Sequence, residues 1–139
     1  MTDIFSQEKR SDIMSRIRGK NTKPELALFE LVKPLWHVCR YRKHHPSLPG
    51  KPDLVFPRAR LAVFVDGAFW HGRDYSEKSD KWSPMWKDKI LGNMLRDSKV
   101  NEELASKGYR VHRFWDREVL REGQFVYSTI EAELLESLY

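Results

Sequence analysis

Residues 49–71, PGKPDLVFPRARLAVFVDGAFWH, set one aspartate, Asp53, at the head of an apolar run and a second, Asp66, at the tail of the next. Phe69, Trp70 and His71 follow at once. A carboxylate at a strand edge, beside a backbone carbonyl of the neighbouring strand, outlines a magnesium site, because Mg2+ takes oxygen ligands and keeps several waters. An ion held there deprotonates a water and offsets charge on a phosphoryl oxygen, which is the chemistry of phosphodiester attack. His71 would shuttle the proton, and Glu25, at a helix start, would hold a metal-bound water from the other side.

Each residue also has a plainer reading. Asp53 fits the cap of a turn. Glu25 stands three after Thr22 and completes a capping box. His71 reads equally well as a loop histidine donating to a carbonyl, and Phe69 and Trp70 as core aromatics. Residue type and spacing leave both readings open at every position.

The elements that must position these groups follow from punctuation and periodicity. Ser6 caps an expected helix running to Gly19, with Ile13, Met14 and Ile17 on one stripe. Thr22 and Pro24 open a second helix, whose buried side is Leu26, Phe29, Leu31 and Val32 and which ends at Pro34. Residues 38–42, VCRYR, alternate like a strand, and HHPSLPGKP is a loop by its prolines and glycine. Residues 53–56 and 61–65 are two apolar runs joined by a short turn, hence a hairpin. Residues 67–83 form a long polar and aromatic connection. Ser83 and Pro84 open the longest helix, Gly108 closes it, and YRVHRFW over 109–115 is a strand. Phe125, Val126, Ile130, Leu134 and Leu138 give a last helix its stripe. The order predicts an α/β fold, a mixed four-stranded sheet flanked by helices, with one βαβ unit formed by strand three, the long helix and strand four.

A chain of 139 residues is expected to form one domain with a real core. No apolar run reaches the roughly 20 residues of a membrane span, and the first residues, MTDIFSQEKR, lack the apolar centre of a signal peptide. The single cysteine, Cys39, cannot form an internal disulfide, so a cytoplasmic setting is expected. The net charge of +5 is moderate, but its distribution is uneven. Arg16, Arg18, Lys20 and Lys23 crowd one junction and Arg40, Arg42, Lys43, His44 and His45 another, which makes the first half the expected phosphate-facing side.

PGKPD, FVDGAFWHG, KDKILGNMLRD and GYRVHRFW, in this order after an N-terminal M-x-x-I and N-T-x-x-E, resemble the very short patch repair endonucleases over about residues 11–115. That family is a branch of the PD-(D/E)xK restriction-endonuclease-like nucleases, so the resemblance implies one nuclease domain. Residues 1–20 would be a DNA-contacting helix, 21–115 the core and 116–139 a C-terminal helix. It implies a monomer that nicks one strand of double-stranded DNA at T:G mismatches, with Mg2+ as cofactor. Asp53 would bind the metal together with the main-chain carbonyl of Val65, and Glu25 would act through metal-bound water. His71 would stand by the scissile phosphate. Asp66 takes a place where many members carry aspartate, and Asp97 would orient it. Phe69, Trp70 and Trp86 would wedge into the base stack, Met14 would probe the minor groove, and Arg16, Lys20, Asn93 and Arg96 would contact DNA. Unstacking costs least at a mispair, so a wedge selects for damage.

One departure stands out. The thiolate and imidazole ligands of the family's structural zinc correspond here to Ala68, Arg73, Tyr75 and Arg117, so no structural zinc is expected. Loss of that clamp would free the 67–83 connection. A salt bridge of Asp74 with Arg73 and Arg117 is one candidate substitute. His37, His44, His45 and His112 lack the usual ligand spacing and are left out of any metal site. Two alternatives remain open: a related nuclease of a restriction, mobile-element or defence system without mismatch preference, and an inactive DNA-binding module.

Overall fold

Residues 22–139 are described by the computed structural model, so the expected N-terminal helix, with Met14, Arg16 and Lys20, lies outside the described residues. Helix α1 is Lys23–Val32, with Pro24 in its first turn, where a missing N–H costs nothing. A 3-10 segment, Lys33–His37, follows. The strands are β1 Arg42–Lys43, β2 Leu54–Phe56, β3 Leu61–Asp66 and β4 Arg110–Trp115. Between β3 and β4 lie a short helix α2, Tyr75–Lys78, a 3-10 turn, Ser79–Lys81, and the long helix α3, Pro84–Ser106. After β4 come α4, Asp116–Arg121, and α5, Gly123–Leu138.

The sheet order is β1-β2-β3-β4. The expected hairpin is present, β2 pairing antiparallel with β3, and the expected βαβ unit makes β3 and β4 parallel. The first strand is shorter and later than its alternation predicts. Val38 and Cys39 close onto Leu35 in a helical turn instead, and only Arg42 and Lys43 pair with β2. Pro34 sits at the start of that 3-10 segment, where its missing N–H costs nothing.

Alternation along β3 splits the interior into two layers. Leu61 and Val63 face a core formed with Leu28, Phe29 and Val32 of α1, Val119 of α4, and Val126, Ile130 and Leu134 of α5. Ala62 and Phe64 face the other way, toward Leu104 of α3. Fully buried side chains such as Phe56, Phe114 and Leu134 are each worth roughly 1.5–3 kcal/mol relative to exposure. Two apolar residues fall outside the stripes that helical spacing assigns them. Leu26 and Phe125 are about half exposed, because the core lies to one side of each. Among the described residues no helix is long and apolar enough to cross a membrane.

Helix α3 ends as expected. Gly108 sits in the left-handed region at φ +86°, which lets its N–H reach Ala105 O and the Tyr109 N–H reach Leu104 O. The inward stripe of α3 is unusual in being partly polar: Asn93, Asp97 and Asn101 lie in line with Ile90 and Leu104. Those polar residues serve the site.

Candidate active site

The site forms at the carboxyl ends of the parallel pair β3 and β4, where Asp66 lies opposite Trp115. Open α/β sheets offer ligands this edge because the strands stop there and helices from both faces reach it. Two clusters of side chains meet at it.

The first comprises Glu25, His44 and Asp53, each offering a ligand atom within 4.8 Å of the others. The β2–β3 ladder ends at Leu54 and Val63. One step further on, Asp53 Oδ2 accepts the Val65 N–H at 2.8 Å, so a carboxylate replaces the missing ladder partner. A strand residue's N–H and C=O point to the same edge, which puts the Val65 carbonyl on the Asp53 side of β3. The loop before β2 folds back so that the His44 N–H reaches the Asp53 carbonyl at 3.0 Å, with His44 at φ +50°. Its ring meets Phe29 edge-on and its Nε2 lies 3.7 Å from Glu25 Oε2. Burial pushes the Asp53 carboxyl up to about 7 against the pull of the Val65 N–H, with the negative charges of Glu25 and Asp66 adding to the rise.

Crowded, half-buried carboxylates of this kind suit a divalent cation, whose charge removes the penalty of ionising them. Two carboxylates and a carbonyl are hard oxygen donors of the type Mg2+ takes, and His44 adds a nitrogen that Mn2+ tolerates well. Glu25 makes no capping box, since the Thr22 side chain caps nothing on α1. The carboxylate is directed at the cluster instead. His44, set aside on spacing, is brought in by the loop's fold; sequence distance misled there.

The second cluster comprises Asp66, His71 and Asp97. His71 Nδ1 lies 2.5 Å from Asp97 Oδ2 and 3.8 Å from Asp66 Oδ1. Arg113, from β4, joins them: its terminal nitrogen donates to both Asp66 oxygens at 3.1 and 3.2 Å and lies 3.6 Å from Asp97 Oδ1. Burial raises the Asp66 carboxyl, and the charges of His71 and Arg113 hold that rise back. Burial draws the His71 imidazole down, but the hydrogen bond to Asp97 and the charges of Asp66 and Asp97 outweigh it, leaving the ring more basic than usual.

The connection between β3 and α3 is fastened by aromatics. Trp70, Trp82 and Trp86 are buried with Ile90, and Phe69 and Tyr75 pack on them partly exposed. Ring centres stand 5.1 Å apart for Trp70–Trp86, 5.3 Å for Phe69–Trp82 and 6.0 Å for Tyr75–Trp82. Asn93 donates to the Trp70 carbonyl at 2.9 Å, and exposed Lys89 lies over the Trp70 ring. Gly72, next to His71, has φ +75°, and a Cβ there would run into Met94. Gly72→Ala is therefore expected to lose roughly 1–2 kcal/mol from left-handed strain and crowding, read as a shift in the urea midpoint.

The family model described as DNA mismatch endonuclease Vsr matches residues 2–77. The chain is 42% identical over 127 residues to the "Type II nicking enzyme V.HpaIIP" of Haemophilus parainfluenzae, covering 87% of this chain and 86% of that one. It is 41% identical over 125 residues to the "Type II nicking enzyme V.XorIIP" of Xanthomonas oryzae pv. oryzae, covering 86% and 88%. Against the "DNA mismatch endonuclease Vsr" of Escherichia coli it is 31% identical over 118 residues, covering 84% and 74%. The chain belongs to the Vsr family. It is an endonuclease, and the restriction-endonuclease-like fold expected from its sequence is the fold it has.

Within this Vsr-family framework the structure brings Asp53 and Glu25 together at one cluster and Asp66, His71 and Asp97 at the other. Asn93 is tied to the segment that carries His71, and Arg96 is exposed and donates to Asn93 Oδ1. Trp70 and Trp86 are only 7% and 3% exposed, their rings tilted against each other inside the cluster, and Phe69 is the partly accessible one. The substitute salt bridge does not form as expected. Asp74 lies 3.6 Å from Lys78, and edge-on and tilted rings, Tyr75 among them, do the fastening. Arg113, Asn101 and Trp82 were missed from sequence. Alternation in YRVHRFW gives Arg113 an unremarkable place, and nothing local marks it as facing two carboxylates.

Proposed function

We propose that this Vsr-family enzyme is a Mg2+-dependent endonuclease that nicks one strand of double-stranded DNA at T:G mismatches, the very short patch repair reaction. The observation that carries the reading is Asp53 pinned to the Val65 N–H beside Glu25, at the strand ends where His71 also stands. The name of the Escherichia coli relative supports the mismatch, and the names of the nicking enzymes support cutting one strand.

Glu25 and Asp53, with the Val65 carbonyl, would hold the ion, which supplies a polarised water and offsets charge on the phosphate. Asp97 takes the Nδ1 side of His71, so Nε2 is the ring nitrogen left to carry a proton at the scissile phosphate. Phe69 would meet the base stack, Trp70 and Trp86 would back it, and Lys89, Asn93 and Arg96 would contact the strand beside it. Met14, Arg16 and Lys20 complete the proposed DNA contacts, and one copy of the chain suffices for one nick. A second reading keeps the nick but drops the mismatch preference, as in a nuclease of a restriction, mobile-element or defence system: about four in ten aligned residues are identical to those of enzymes named as type II nicking enzymes, which supports it.

Labelled duplexes, one with a T:G mispair and one fully matched, distinguish the two readings. Nicking of the mispaired duplex alone, with Mg2+ and not with EDTA, is the expected result. Equal nicking of both supports the second reading. Tight, salt-sensitive binding without any cutting would remove the hydrolytic assignment.

A further inference from the structure

The Asp66–His71–Asp97 cluster has the ligand types and spacing of a cation site. Two carboxylates that close need a positive partner, and in nucleases with paired metals a second ion can supply it. Here the cation is built into the chain. We propose that Arg113 is a positioning residue whose guanidinium fills the cation place of this cluster, so that the cluster takes no second metal ion and Asp97 is held to His71.

Arg113 is fixed on three sides. Its Nε donates to Asn101 Oδ1 at 2.8 Å, its guanidinium lies 4.0 Å from the Phe64 ring centre, and its terminal nitrogen faces Asp66 and Asp97. The side chain is only 18% exposed. Each support follows from the fold. Arg113 is the register partner of Phe64, Asp66 lies two residues further along the same face of β3, and Asn101 stands one turn beyond Asp97 on α3. A guanidinium stays charged at any working pH and its planar fork suits carboxylates, whereas an ion bound there would come and go with concentration. With one permanent positive charge set between Asp66 and Asp97, Asp97 keeps its short hydrogen bond to His71 Nδ1 and the imidazole keeps one orientation.

The inference rests on His71 acting at the phosphate, and the experiment separates the two. Mn2+ is titrated into the full-length protein and counted by electron paramagnetic resonance, alongside nicking kinetics. The parent and Arg113→Lys are expected to bind one ion per chain, Asp53→Asn none, and Arg113→Met a second, weaker ion. Arg113→Met is expected to lower kcat roughly thirtyfold, a fraction of what a placed acid–base group contributes, with KM for DNA changed less than about twofold. Arg113→Lys should recover part of that rate. In an Asp97→Asn background the Arg113→Met change should add little, because the group it positions is already gone. Two ions in the parent, or an undiminished Arg113→Met effect without Asp97, overturns the proposal. If Arg113→Met does not fold, two ions on Arg113→Lys also overturns it and one supports it. Full activity in His71→Gln would instead remove the proton-transfer reading, leaving the ion count to judge Arg113.

Discussion

Asp53→Asn is expected to abolish strand cleavage and, without divalent ions at neutral pH, to make the folded protein more stable. Both effects have one cause. The Asp53 carboxyl is raised to about 7 by burial, with Glu25 and Asp66 adding their charge. Between about pH 4 and pH 7 the folded protein holds a proton there that the unfolded chain has released. Stability attached to this group therefore falls as pH rises through that window, and above about 7 the loss is complete. Asparagine has no proton to lose and its carbonyl oxygen still accepts the Val65 N–H. The variant should match the parent near pH 4 and exceed it by about 2–4 kcal/mol at pH 8, a gap that partial exposure and charge shared with Glu25 would reduce.

Mg2+ should reverse the order. It raises the melting temperature of the parent by binding the folded state and leaves the variant where it was. Cleavage should fall by roughly three orders of magnitude, since several kcal/mol of charge stabilisation goes with the ion. A variant that still nicks, or whose stability tracks the parent at every pH, would take Asp53 out of the metal site. Urea titrations across pH and a nicking time course supply both measurements.

Trp86→Ala is expected to cost about 3–5 kcal/mol, a large share of the 5–15 kcal/mol that holds a domain of this size together. Trp86 is 3% exposed and packs on Trp70, Phe69 and Ile90, so truncation leaves a cavity that rigid neighbouring rings cannot fill. Phe69→Ala, at the partly exposed edge of the same cluster, should cost only about 1–2 kcal/mol while weakening the response to a mispair. Comparing the two by thermal unfolding and by binding to matched and T:G duplexes separates a core role from a base-facing one. A loss below 1 kcal/mol for Trp86→Ala would mean that its ring is not structural and would return it to the DNA-facing surface.

The hairpin, the long helix and the parallel pair were legible because apolar runs, Ser83–Pro84 and Gly108 are local signals, and the fold follows once β3 must cross to β4. The first strand was not, because alternation over residues 38–42 says nothing of the helical turn that precedes it. Glu25 shows the limit most clearly. T-K-P-E fits a capping box and a metal ligand alike, and only the distance to Asp53 and His44, far along the chain, favours the second. Asp97 was found through family resemblance, since no spacing rule links it to His71. Arg113 was invisible to both routes.

The three packed indoles have a practical consequence. Rings held 5–6 Å apart at fixed tilts are strongly asymmetric chromophores, so the near-ultraviolet circular dichroism of this protein should be dominated by one patch. Because that patch carries the segment next to His71, a duplex that pries the rings apart would announce itself optically, without a label, before any bond is cut.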